Sequence, residues 1–146
     1  MTLLGAIRPD DWDLPLFLHI LGAMVLVGSL VFVVTSIAAD NLRVGFRTLL
    51  LAVIPSWIVM RVAAQWIASK EHVDDLDPTP AWVDIGYSTS EGSFLLLIAA
   101  TICAGIAARR ARGGGLRTAT LVLVAISLVA YVVAIWAMAT KPPDAA

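Results

Sequence analysis

Few side chains in this sequence can do chemistry, and they stand inside long apolar runs. Arg61 and Gln65 lie four residues apart in "SWIVMRVAAQWIASK" (56–70), so a helix there carries both on one face, with Ser69 a turn further on. His19 sits in "LHILGAMVLVGSLVF" (18–32) and Tyr131 in the last apolar run. A guanidinium, a carboxamide, an imidazole and a phenol can hold and orient a small ligand. They do not make a nucleophile–base pair, and an enzyme is not expected. His72 with Asp74, Asp75 and Asp77 can bind a divalent cation, but the spacing lacks the glycine and distal glutamate of an EF-hand. A solvated acidic loop is the simpler reading.

Metal or haem chemistry has a narrow basis. The imidazoles are His19 and His72, and His72 falls outside the apolar runs, which disfavours a bis-histidine haem. Copper prefers soft ligands, yet Met24, Met60, Met138 and Cys103 form no MxxM or CxxC cluster. No cofactor is expected from these residues. Haem or copper at His19 stays open as the alternative, as does a hydrogen-bonded histidine with no ligand at all.

The elements that must position these residues follow from composition. The chain has 146 residues, 60% of them hydrophobic and 14% charged, where a soluble domain has about 25% charged. An integral membrane protein is implied, because apolar runs of about 20 residues match the hydrocarbon thickness. Four such runs stand out, at about 14–38, 48–69, 92–108 and 118–140. Helices are the open-ended way to satisfy backbone groups in lipid, so an all-α, up-down four-helix bundle is expected as a single domain over 1–146. Asp13 suits the N-cap of the first helix, and Ser90 with Glu91 the start of the third. No cleavable leader is evident, since "MTLLGAIRPDDWDLP" has no basic region ahead of its apolar stretch.

Charge orients the bundle. Arg43 and Arg47 lie between the first two runs, and Arg109, Arg110, Arg112 and Arg117 between the last two. The outer segment 70–91 holds six acids instead: Glu71, Asp74, Asp75, Asp77, Asp84 and Glu91. The positive-inside rule then places both arginine loops in the cytoplasm and both termini outside, across a bacterial cytoplasmic membrane. Arg109, Arg110, Arg112 and Arg117 are expected to meet anionic lipid headgroups. No P-loop or Rossmann spacing follows the glycines at 113–115, and a nucleic-acid partner is not expected.

Depth sharpens the candidate pocket. At 1.5 Å per residue, Arg61 lies roughly 12 Å inside the outer end of its helix and His19 roughly 7 Å inside its own. Tyr131 lies near the depth of Arg61. His19, Arg61, Gln65 and Tyr131 therefore share the outer half. Arg61 either snorkels to the outer headgroups or turns inward to an acid of the outer loop, with Asp84 and Glu91 as counter-ion candidates. In the first helix Pro15, His19, Gly22, Leu26, Ser29, Val33 and Ser36 form a stripe of three- and four-residue spacing that should face the bundle. Small-residue stripes, such as Ala100, Ala104 and Ala108, also allow a homo-oligomer or a larger membrane complex.

"LHILGAMVLVGSLVF" resembles the first helix of small bacterial membrane proteins of the copper-resistance D-like type, and of related four-helix membrane families, through His19, Gly22 and Gly28. The resemblance covers one helix of four. In the copper-related members it implies copper handling with His19 as a contact, while the other relatives imply the fold alone.

Overall fold

The computed structural model describes residues 13–70, 72, 81–109 and 114–139, the side chains of residues 13 and 82 excepted. Helix α1 spans Asp13–Ala38, α2 Leu42–Thr48, α3 Ile54–Lys70, α4 Ala81–Arg109 and α5 Gly114–Ala139. A π-helical turn, Leu49–Val53, joins α2 to α3 without a break. The result is four rods, Leu14–Ala38, Leu42–Lys70, Val83–Arg109 and Gly114–Ala139, each long and apolar enough to cross a membrane. They form the expected up-down bundle. Helix α1 packs along α3, α4 along α5, and the two hairpins join through α1 with α5 and α2 with α4. The end where α1 begins and α5 finishes is called the terminal end below, and the other the arginine end.

Three boundaries differ from those expected from sequence. The second rod begins at Leu42 rather than near 48, the third at Ala81 rather than 92, and the fourth at Gly114 rather than 118. The acidic segment taken as a loop over 70–91 is therefore helical from Ala81, and Ser90 and Glu91 lie within α4 instead of starting it. The physical reason is local. Serine and threonine are loop signals when their hydroxyls compete for the backbone, but here they bond back within the helix. Ser88 Oγ donates to the Asp84 carbonyl at 2.6 Å, and Ser93 Oγ donates to the Thr89 carbonyl. Val83, Ser90, Ser93 and Leu97 are buried on one face, with the half-buried Gly86 and Tyr87 between the first two, which ties this segment to the bundle.

The first connection is short because α1 stops sharply. Asn41 N–H donates to the Ser36 carbonyl at 2.8 Å and Asp40 N–H to the Ile37 carbonyl at 3.1 Å. Asp40 takes a left-handed φ of 64°, completing a Schellman cap with aspartate where glycine is usual. The π turn has an equally local cause. Pro55 has no N–H to donate, and the ladder shifts one residue ahead of it, with Ile54 N–H bonding to the Leu49 carbonyl.

The two halves of the bundle are built differently. Toward the arginine end Leu26, Leu30, Val33 and Ile37 of α1 are fully buried with Leu49, Val53, Leu97 and Val124. The α1 stripe from Pro15 to Ser36 is buried or half-buried throughout. Toward the terminal end α3 meets α4 only sparsely. The bundle's outside is apolar: Phe17, Met24, Leu51, Leu95, Val129 and Trp136 are all more than half exposed. Water-exposed monomers rarely carry so large an apolar surface.

Candidate functional site

The sparse contact between α3 and α4 opens a cavity of about 310 Å³ at the terminal end, lined by all four rods. Helix α1 contributes Leu16, His19, Ala23 and Val27, and α3 contributes Met60, Arg61, Ala64, Ile67 and Ala68. From α4 come Val83, Gly86, Tyr87, Thr89 and Ser90, and from α5 Tyr131, Ala134, Ile135 and Met138. Ile135 and Met138 are the exposed members of this lining and mark its lip, whereas Ser90 and Tyr131 are buried. The volume lies at the small end of the range for small-molecule sites, about 300–1,000 Å³. So does the character: an apolar wall with a few convergent polar groups.

Helix α1 reaches the cavity through its contact with α3. A Cβ on Gly22 would lie 2.9 Å from the Met60 backbone nitrogen, so the two backbones approach as only glycine allows. One turn earlier, His19 Nδ1 lies 3.1 Å from the Met60 carbonyl. A carbonyl only accepts, so Nδ1 carries the proton in this contact.

Arg61 spans the seam between α3 and α4. Its Nη1 donates to Gln65 Oε1 at 3.1 Å, on its own helix. Across the seam its guanidinium lies over the Tyr87 ring, 4.6 Å from the centroid, a cation–π contact. Its Nη2 is 3.6 Å from Glu91 Oε1, an ion pair too long for a hydrogen bond. The Arg61 side chain is 22% exposed and that of Glu91 is 69% exposed, so the arginine is the fixed partner and the glutamate the loose one. One turn deeper, Trp57 Nε1 donates to the Ser90 carbonyl at 3.2 Å, and the Trp57 and Phe94 rings stack with centroids 4.0 Å apart. The Ser93 and Tyr131 hydroxyls, 2.7 Å apart, share a hydrogen bond between α4 and α5. Beside them the Ser90 hydroxyl is sealed from solvent and has no partner among the described residues.

Of the residues proposed from sequence, His19, Arg61 and Tyr131 line one cavity. Gln65 is exposed and holds Arg61 from the flank. Arg61 turns to Glu91, while Asp84 is exposed in the first turn of α4. His72 is exposed, with a left-handed φ of 51°. The other members of its acidic group, and Arg110 and Arg112, lie outside the described residues, as does the Asp13 side chain. Among the described residues no three His, Cys, Asp or Glu side chains gather as a metal would require. Arg109 ends α4 and is exposed. Arg117, expected at lipid headgroups, instead bonds across the bundle: it pairs with Asp40 and donates to the Ile37 carbonyl at 2.7 Å. It thus adds a second donor to the Ile37 carbonyl, which also accepts from Asp40 N–H at the end of α1.

Sequence reasoning missed Trp57 and the parts that Tyr87, Ser90 and Ser93 play. The signal was present, because 83, 86/87, 90, 93 and 97 continue the small-residue stripe of Ala100 and Ala104. Compared with protein families, with curated proteins and with solved structures, the chain matches none of them.

Proposed function

We propose that this chain is a multi-pass protein of a bacterial cytoplasmic membrane, and that its bundle holds a small, largely apolar ligand in the cavity at its terminal end. It acts as a binding or accessory subunit rather than as an enzyme. The observation that carries this reading is the cavity: all four rods line it, and His19, Arg61, Tyr87 and Tyr131 converge on an otherwise apolar wall. The apolar outer surface suits lipid. Arg43, Arg47, Arg109 and Arg117 cluster at one end and Asp84 and Glu91 at the other, which supports the arginine end inside and both termini outside. The exposed Arg43, Arg47 and Arg109 are placed to meet anionic headgroups.

Native mass spectrometry of protein taken from membranes in mild detergent tests this reading. The expected result is a small-molecule adduct on the wild type that Ala64→Phe, which fills the cavity, displaces. A wild type carrying no more adduct than the variant would refute it.

A second reading, copper or haem handling through His19, draws on one observation. His19, Met60 and Met138 line the same cavity, and with Nδ1 turned to the Met60 carbonyl, Nε2 is the nitrogen a metal would take. Elemental analysis and an absorption spectrum decide it: stoichiometric copper or a Soret band that His19→Ala abolishes supports it, and neither signal in the wild type removes it.

A further inference from the structure

Resting on the reading of the cavity as a ligand site, we infer that its ligand is a single-chain amphiphile with a carboxylate head, bound to Arg61 in place of Glu91. The argument begins with the donors of Arg61. A guanidinium has five N–H groups in a planar fork. Among the described residues it spends one on a hydrogen bond, to Gln65 on the side away from the cavity. Tyr87 supports its face and spends no donor. Glu91 balances the charge at 3.6 Å without a hydrogen bond. A half-buried arginine is thereby held rigidly from two sides and matched loosely on the third. That third position fits a carboxylate, whose two oxygens take the fork bidentately.

The apolar part of the ligand follows from the rest of the lining. Ala23 and Val27 of α1, Ala64 of α3 and Ala134 of α5 line the cavity, and Ile135 and Met138 form an apolar lip beside the hydrocarbon-like outer surface. A tail leaving by that lip stays in an apolar medium along its whole length. A cationic head is repelled by Arg61. A neutral head leaves the Arg61–Glu91 pair intact and accepts from the fork only a neutral hydrogen bond, roughly half as strong as a charge-assisted one. A phosphomonoester head brings more negative charge than one partly balanced guanidinium can offset, and a phosphodiester carries its charge between two substituents rather than at the end of a single chain. A single negative charge exchanges with the Glu91 carboxylate, which is 69% exposed and can turn to water.

The test uses the full chain in phosphatidylcholine nanodiscs, with binding of radiolabelled dodecanoate or dodecanol measured against empty discs. Dodecanoate is expected to saturate one site per chain and to bind about tenfold or more tighter than dodecanol, as a charge-assisted hydrogen bond implies. Arg61→Gln should abolish that preference. Glu91→Gln, at an exposed position where the fold is secure, should tighten dodecanoate about threefold by removing its competitor. Dodecanol binding as tightly as dodecanoate overturns the inference, and so does weaker or unchanged dodecanoate binding by Glu91→Gln. If both amphiphiles saturate with equal affinity and Ala64→Phe removes both, the cavity reading stands and the carboxylate class falls. If neither saturates, the carboxylate inference falls and the adduct measurement alone decides the cavity reading.

Discussion

Two serines one turn apart on α4 should respond to the same substitution with opposite signs. The Ser90 hydroxyl is sealed from solvent and has no partner among the described residues. Its main-chain carbonyl, which accepts from Trp57 Nε1 at 3.2 Å, is untouched by a change of side chain. Ser90→Ala therefore removes an unsatisfied polar group, which costs about 1–3 kcal/mol where it is buried. It also gains about 0.5 kcal/mol of helix propensity. A small void offsets part of this, and the expected gain is about 1–2 kcal/mol. Ser93→Ala gains the same propensity but removes the nearer of the two hydrogen-bond partners of the buried Tyr131 hydroxyl, Ser93 at 2.7 Å, leaving Trp57 alone. The expected loss is about 1–2 kcal/mol. The two variants should thus differ by about 3 kcal/mol, or roughly 6–12 °C in unfolding temperature for a chain of this length. Thermal unfolding of the detergent-solubilised protein, followed by circular dichroism, measures this directly. Shifts of the same sign, or Ser90→Ala melting below wild type, would refute the reasoning: two losses require a partner for the Ser90 hydroxyl, and two gains deny the Ser93–Tyr131 bond any net value.

The α1–α3 contact gives a second paired test. Gly22→Ala places a Cβ 2.9 Å from the Met60 backbone nitrogen and should cost about 1–3 kcal/mol, while Gly28→Ala, with nothing within 4 Å, should gain up to about 1 kcal/mol; equal effects on unfolding temperature would show that the two helices do not approach as described. At the arginine end, Arg117→Gln should destabilise by about 1 kcal/mol, because it loses the Ile37 carbonyl as well as Asp40. Asp40→Asn should cost less, since that pair is largely exposed, and the reverse order of effects in thermal unfolding would contradict the capping role. Orientation is testable in a Cys103→Ala background, where Asp84→Cys should label from outside intact cells with an impermeant maleimide and Arg109→Cys only after permeabilisation; the opposite pattern inverts the proposed topology.

What the sequence made legible divides along physical lines. The four rods, their antiparallel order and the inward stripe of α1 follow from apolar run length and three- and four-residue spacing, signals carried by many residues at once. That Arg61 shares a face with Gln65 and lies within reach of Asp84 or Glu91 was legible for a similar reason, since a charge in an apolar run needs a partner or water, but the choice between the acids, and between turning inward and snorkelling, was not. The ends of the rods were less so. The helix over 81–91 hides behind Asp, Gly, Ser and Thr, whose loop preference is reversed by hydroxyl back-bonding and by burial of one face. The cap on α1 uses aspartate in a left-handed conformation, and α2 extends a rod that its arginines made look like a loop. Ser90 and Trp57 escaped notice because their importance depends on which helices meet, which no single segment encodes.

The contrast between the two ends of the bundle explains why the cavity lies where it does. Toward the arginine end α2 packs onto α4, and Phe46 seats against Gly105 at a distance where a Cβ would meet its ring at 3.0 Å. That contact draws the two hairpins together. Toward the terminal end the α3–α4 seam is instead filled by Trp57, Phe94, Arg61 and Tyr87, long side chains that bridge the helices by a stack and a cation–π contact. Large side chains hold backbones apart as firmly as small ones let them close. The cavity is therefore a consequence of side-chain size along one seam. If that is right, shortening the spacers should collapse it: Trp57→Ala with Phe94→Ala should bring α3 toward α4 and expel the adduct that the wild type retains. An adduct kept by the double variant would place the cause of the cavity elsewhere than in this seam.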